Sequence, residues 1–331
     1  MNAKRVAMGA LAVAITLAAG AGAWAVKAAP ASGWRDVLDT PAIQSPLASR
    51  ALLNGLASTG SRIVAVGQRG HILYSDDAGS NWRQADVPVS SDLVAVSFPE
   101  PTKGWAVGHD GVVLHSADAG ATWAVQLDGR KLGAQGAENP FLDVWFRDAS
   151  EGFAVGAFGL AMHTTDGGVH WTPLQGLDNP KSLHLYAVRG IGADLYVSGE
   201  QGLMLKLDSG DTRFRALELP YKGTLFGITG SSRSLVAFGL RGTVLRSTDG
   251  GRNWQQTPTG VQVGLTAGTL QGDGRIVIVS QAGHILSSTD DGASFKIAST
   301  ERTVPAAAVV TSAKGALVIA GPRGAQSLPL P

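Results

Sequence analysis

The sequence predicts an all-β protein: a seven-bladed β-propeller of four-stranded antiparallel blades, its ring closed by the N-terminal strand pairing with the last blade. Three observations point there. A phrase close to V-G-x-x-G-x-x-L-x-S-x-D-x-G-x-x-W recurs along almost the whole chain, and its glycine pair counts the repeats. The pairs are Gly67/Gly70, Gly108/Gly111, Gly156/Gly159, Gly199/Gly202, Gly239/Gly242, Ser280/Gly283 with one glycine replaced, and Gly321/Gly324. Their first members stand 41, 48, 43, 40, 41 and 41 residues apart, a period that fits one small antiparallel sheet per repeat. In six repeats an aromatic follows the second glycine by 12 residues: Trp82, Trp123, Trp171, Phe214, Trp254 and Phe295. A spacing that holds while residues drift is structural. The 44 glycines among 331 residues suit many short strands joined by tight turns.

The chain begins with Lys4 and Arg5, an apolar run from Val6 to Val26, and small-residue sites such as Ala23-Trp24-Ala25. That order is an export signature, so residues 1–29 read as a signal peptide or an uncleaved N-terminal anchor, with cleavage expected near Ala25 or Ala29. Residues 30–331 read as the propeller, lying outside the cytoplasm. Setting Lys4, Arg5 and Lys27 aside from the 27 basic residues, against 26 acidic ones, leaves a formal charge of −2. Bulk attraction to nucleic acid or anionic lipid is not implied. Without cysteine there is no disulfide framework, thiol chemistry or acylated anchor, and no cofactor motif stands out.

The second repeat shows how a blade is built. Leu93 to Phe98 forms a first strand, Gly104 to Gly108 a second, and Val112 to Ser116 a third, with His109-Asp110 as a two-residue turn. The third strand enters Ser116-Ala117-Asp118-Ala119-Gly120-Ala121-Thr122-Trp123, an Asp box of pattern S-x-D-x-G-x-x-W. Equivalent boxes carry Asp77, Asp166, Asp249 and Asp290. In such a turn the short carboxylate accepts backbone N–H bonds, the glycine takes a positive φ, and the aromatic packs between sheets. These aspartates are therefore read as scaffolding.

The fourth repeat keeps the spacing but carries Leu207, Ser209, Asp211 and Phe214 at the box positions, which predicts a looser outer hairpin. The seventh stops after Gly324 with no fourth strand of its own. Ala31 to Val37 resembles Ser80 to Val87, so Trp34 to Val37 is expected to pair near Gly321 to Ser327 and shut the ring.

With these blocks in view, above all Phe238-Gly239-Leu240-Arg241-Gly242 through Asp249-Gly250-Gly251-Arg252-Asn253-Trp254, residues 33 to 324 resemble the photosystem II stability/assembly factor family of BNR/Asp-box propellers. The resemblance implies a non-enzymatic protein that binds membrane-protein subunits or assembly intermediates, in photosynthetic members around the D1 protein. Relatives outside photosynthesis imply an envelope role. Departures from the pattern are the degenerate fourth box and the 48-residue spacing before Gly156.

In a four-stranded meander the glycine-pair turns and the interblade connections open on one face, and the Asp boxes on the other. Arg69, Arg241 and Arg323 occupy the same slot of three turns and would form a basic patch able to bind partner carboxylates in bidentate fashion; alternatively they solubilise, or bridge Asp110 and Glu200. His109 shares that face. Arg130 and Lys131, in the long connection from Gln126 to Pro140, would add to it. His71, His109 and His284 approach the pore but match no metal-ligand spacing.

Asp110, Glu138, Asp143, Asp148, Glu151 and Glu200 are the carboxylates outside the boxes that a paired-acid glycosidase could use, yet no visible motif pairs them, and the sialidase signature is absent. Trp34, Trp82, Trp123, Trp171 and Trp254 share one repeat position and read as core, as do Trp105 and Trp145. The expected function is a non-enzymatic exported scaffold, a monomer, that binds subunits of a membrane-protein complex. The alternatives are an accessory subunit of an envelope transporter, or a secreted carbohydrate-binding or glycoside-cleaving propeller.

Overall fold

The computed structural model describes residues 33, 35–133, 136, 138–298 and 303–328. The export segment at 1–29 and Trp34 lie outside them. The described residues from Asp36 onward form one compact unit, and their strands group into seven sheets.

Seven first strands line a central channel: Leu53–Ser58, Leu93–Ser97, Phe141–Phe146, Leu185–Ile191, Leu225–Ser231, Leu265–Leu270 and Ala308–Thr311. Within each sheet consecutive strands are antiparallel neighbours, running outward from the channel. Second strands such as Ile63–Gly67 and Gly104–Gly108 are buried at every position, which explains their unbroken apolar runs: each is covered by a blade on both faces. The core is accordingly a series of layers between blades. Val64, Val66 and Ile72 of the first blade pack with Ala106, Leu114 and Trp123 of the second, and the same mixing recurs around the ring.

The Asp boxes have the predicted construction. In the first, the Ser75 hydroxyl donates to Asp77 Oδ1 (2.8 Å) and accepts from the Gly79 amide (2.9 Å). The Asp77 carboxylate accepts from the Asn81 amide (2.8 Å) and the Asn81 side chain (2.7 Å), while Trp82 Nε1 donates to the Gly79 carbonyl. Equivalent networks surround Asp118, Asp166, Asp249 and Asp290, and each box glycine has a φ between 80° and 89°. These donors hold Asp77, Asp166, Asp249 and Asp290 at pKa values of about 2, against an ordinary value near 3.9.

A depressed carboxylate contributes stability that is present above its unfolded pKa and lost as pH falls through the folded one. Urea midpoints are therefore expected to fall between about pH 4 and pH 2, and less steeply in an Asp77→Asn/Asp249→Asn variant. Parallel pH profiles for variant and wild type would exclude the boxes as the acid-labile elements.

Three features differ from expectation. The fourth blade, lacking a box, keeps an outer strand at Arg215–Ala216 paired as in its neighbours. An ion cluster replaces the box: buried Lys206 meets Asp194 (2.8 Å) and Asp208 (2.6 Å), and Arg215 meets Asp208 (2.7 Å). Secondly, the turn within the glycine pair has three residues in most blades. The Gly108 amide bonds the Val112 carbonyl around His109–Gly111, because Asp110 sits in the left-handed region. Among the described residues the seventh blade alone uses a two-residue turn, with Gly321 opposite Gly324.

Thirdly, the described part of the expected closing strand lies elsewhere. Asp36 caps a 3-10 turn at Val37–Asp39 through its side chain, Leu38 is buried in the layer between the first and second blades, and the Val37 carbonyl accepts from the Ser90 amide. A cap and an apolar anchor turn this segment away from Gly321 to Ser327. Among the described residues the seventh sheet has three strands. First and last blades meet instead through apolar packing of Leu53, Ala65 and Leu73 on Ala308 and Ala320, joined by Ala48.

Candidate functional site

The glycine-pair turns and the interblade connections share one face. The Gly70 amide bonds the Ser91 carbonyl, and a Cβ on Gly70 would meet the Val89 carbonyl oxygen at 2.1 Å. In five turns the slot residue is left-handed: Arg69, Asp110, Phe158, Gln201 and Arg241, with φ between 53° and 58°. That conformation is uncommon for residues other than glycine.

Arg69, Arg241 and Arg323 are exposed on this face and make no ion pair among the described residues, so the local bridges to Asp110 and Glu200 do not form. Asp110 accepts from the Ser91 hydroxyl, and Glu200 from the His184 amide. Arg69, Arg323 and exposed His109 belong to three consecutive blades, whereas Arg241 is set apart by the sixth. Arg130 is engaged within the chain: its guanidinium binds Asp39 (2.8 Å) and Asp128 (2.6 Å), with Asp36 at 3.8 Å. Lys131 beside it is exposed and makes no ion pair among the described residues.

The histidines do not converge. His71 is buried, and burial together with Arg69 lowers its pKa; His284 Nδ1 lies 3.1 Å from the Ser280 hydroxyl. Among the described residues no cluster of His, Asp and Glu could hold a metal ion.

The channel mouth is the feature that the sequence left unread. In six blades a β-bulge interrupts the pairing of first and second strands at the same place, between Leu53/Gly55, Leu93/Ala95, Phe141/Asp143, Leu185/Ala187, Leu225/Gly227 and Leu265/Ala267. The skipped residues Asn54, Val94, Leu142, Tyr186, Phe226 and Thr266 all line a cavity of about 340 Å³, since a bulge re-aims its side chain. Asn54 and Thr266 are tied to the Leu93 and Ala306 carbonyls of the next blade. Tyr186 and Phe226 make an aromatic side, their rings 5.3 Å apart and edge-to-face.

Asp143 lies in the same channel, buried, and its partner is Arg189 of the neighbouring blade. The carboxylate accepts from the Arg189 guanidinium and from the Val188 amide (2.8 Å). Burial pushes the Asp143 carboxyl up, and Arg189 and the Val188 amide oppose it. Replacing Arg189 by Met leaves burial opposed by backbone amides alone, so the folded-state pKa rises further. A raised carboxyl contributes stability below its unfolded pKa and loses it as pH rises through the folded value. The variant's deficit is expected to be larger at pH 7 than at pH 4, and smaller than the ~3–5 kcal/mol of a fully buried pair, because Arg189 is 43% exposed. A deficit equal at both pH values would contradict the pairing.

The other acids serve local structure. Asp148 accepts from the Ser150 and Glu151 amides, Glu151 pairs with Arg147 (2.8 Å), and Glu138 is exposed.

Fold and site together define an Asp-box repeat propeller with a turn-lined face and a bulge-lined channel. The family model described as photosynthesis system II assembly factor YCF48 matches residues 51–136 and 130–257, and the chain belongs to that family. No curated protein sequence matches it. Among solved structures it is similar to YCF48 bound to D1 peptide, at TM-score 0.68 and 17% identity over 86% of this chain and 94% of the other. YCF48 from Cyanidioschyzon merolae gives 0.66 and 17% over 86% and 96%. The GH74 enzyme of Niastella koreensis, at 0.65 and 14%, covers 84% of this chain and 52% of its own, and shares the fold alone.

Proposed function

We propose that the protein is an exported, non-enzymatic assembly factor or docking scaffold that binds a subunit of a membrane-protein complex through its turn-lined face. The observation that carries this is family membership, together with a solved YCF48 relative that holds a D1 peptide. The exposed guanidinium groups of Arg69, Arg241 and Arg323 suit carboxylates of a partner chain, because a fork of donors meets two oxygens at once. The non-enzymatic reading is supported by how the acids are used: Asp110, Asp143, Asp148, Glu151 and Glu200 each hold a turn, an amide or an ion pair. Lys4, Arg5 and the apolar run from Val6 to Val26 support export, which places the binding face on the extracytoplasmic side.

The test is affinity capture from detergent-solubilised envelope membranes, wild type against Arg69→Glu/Arg241→Glu/Arg323→Glu. A membrane complex retained by wild type and lost by the equally stable variant is the expected result. Retention of nothing specific by wild type, or equal retention by both, would overturn the role of this face.

A further inference from the structure

Four aromatic side chains run from the turn-lined rim into the channel mouth. Phe158 lies 4.6 Å from His184, His184 lies 6.3 Å from Tyr186, and Tyr186 lies 5.3 Å from Phe226, between ring centroids. The file crosses from the third blade to the fifth. Its outer end is anomalous in two ways. Phe158 is 63% exposed, and it occupies the left-handed slot, with φ 53°, that Arg, Asp or Gln fills in four other blades. A bulky apolar side chain there is disfavoured both by solvent and by backbone sterics. The file is nevertheless held in place: the Phe158 amide donates to His184 Nδ1 (3.2 Å), and the His184 amide donates to Glu200 (2.9 Å). Strain kept at an exposed, well-braced residue points to a contact not made within the chain.

The carboxylates beside the file are engaged, Glu200 by the His184 amide and Asp143 by the Val188 amide and Arg189, so the groups left to meet a ligand are donors and cations. The Tyr186 hydroxyl has no hydrogen bond among the described residues. Arg189, deeper in the channel, commits Nη1 to Asp143 and to the Val188 carbonyl, which leaves the rest of its fork for a ligand. On the rim, Lys181 and Lys222 belong to the two connections that flank the fourth blade; both are exposed, with no ion pair among the described residues. A cavity of about 340 Å³ is at the small end of the roughly 300–1,000 Å³ range of ligand sites. It has room for a side chain and little more.

We propose that the file Phe158–His184–Tyr186–Phe226 seats an extended segment of a partner polypeptide. The segment lays one aromatic side chain along the rings and presents neighbouring carboxylates to the Tyr186 hydroxyl, Arg189, Lys181 and Lys222. Ring stacking supplies the apolar anchor, as aromatic residues do at interface hot spots, and the cations select acidic flanks. This rests on the scaffold reading and names the chemistry of the segment bound.

The experiment is selection of a phage-displayed library of random octapeptides on the immobilised wild-type propeller, on Phe158→Gly and on Tyr186→Ala. Phe158→Gly removes the ring and suits the left-handed backbone, so its melting midpoint is expected to equal or exceed that of wild type. Wild type is expected to enrich peptides with an aromatic residue within two positions of Asp or Glu. Synthetic peptides of that consensus are expected to bind each variant at least tenfold more weakly. No enrichment, a consensus without the aromatic or the acid, or affinity indifferent to Phe158→Gly overturns the proposal. The scaffold reading is judged separately: if Phe158→Gly still captures the membrane complex while no peptide is selected, only the ring file fails. If peptides are selected but no membrane complex is captured, the scaffold reading fails and the ring file stands.

Discussion

Trp105→Ala is expected to lower the unfolding free energy by about 3–5 kcal/mol, the range for an aromatic truncated in a packed core. Trp105 is 1% exposed and stacks on Phe146 with ring centroids 3.7 Å apart and planes at 11°. Its indole nitrogen donates to Gln126 (3.0 Å) and to the carbonyl of Gly167 in the next blade (3.2 Å). Truncation therefore opens a cavity between the second and third blades and strips a donor from two acceptors. Trp171→Ala is the comparison: that residue is only partly buried, and its Nε1 has no hydrogen-bond partner among the described residues, so its loss costs less. Urea unfolding of the two variants measures the difference, and equal midpoints would show that the interblade layer is not where the stability resides.

The second large effect is expected at the glycine-pair turn. A Cβ on Gly242 would lie 1.9 Å from the Val261 carbonyl oxygen, and the residue has a φ of 72°. Gly242→Ala therefore combines about 1 kcal/mol of left-handed strain with displacement of the connection into the sixth blade, for which overpacking costs of ~1–3 kcal/mol are a lower guide. Gly210→Ala isolates the first contribution: its φ is 88°, and among the described residues nothing but its own chain neighbours lies within 4 Å of the added carbon. Urea midpoints should separate the two variants by more than the backbone strain alone. If they coincide, close approach of turn and connection does not explain the repeated glycine.

These two sites mark what was legible in the sequence. Blade number, strand order and box construction follow from residues at fixed short spacing, and Trp123 and Asp118 appear where those spacings put them. What stayed hidden depends on partners from different repeats. Asp143 looked unpaired because Arg189 lies 46 residues away and meets it only once two blades stand side by side. The bulges that turn Tyr186 and Phe226 into the channel are differences in register between two strands, which neither strand carries alone. Phe158 left a visible trace, an aromatic in a slot that holds Arg, Asp, Gln or Ala in the other blades, but its neighbours His184 and Tyr186 belong to the next repeat. The closing strand was misplaced for a related reason: likeness of Ala31–Val37 to Ser80–Val87 is a statement about composition, and the cap at Asp36 and the anchor at Leu38 decided the path.

The seam between the last blade and the first, filled by Leu53, Leu73 and several alanines, bears on the ancestry of such rings. Every described strand of each blade comes from one continuous stretch of chain. A duplication or loss of one repeat in the gene would thus add or remove a whole layer, with none of the described strands shared between the two ends. Ala48, Ala65, Ala308 and Ala320 supply four of the six buried residues of that join, so few large side chains have to be matched there when a repeat is gained or lost.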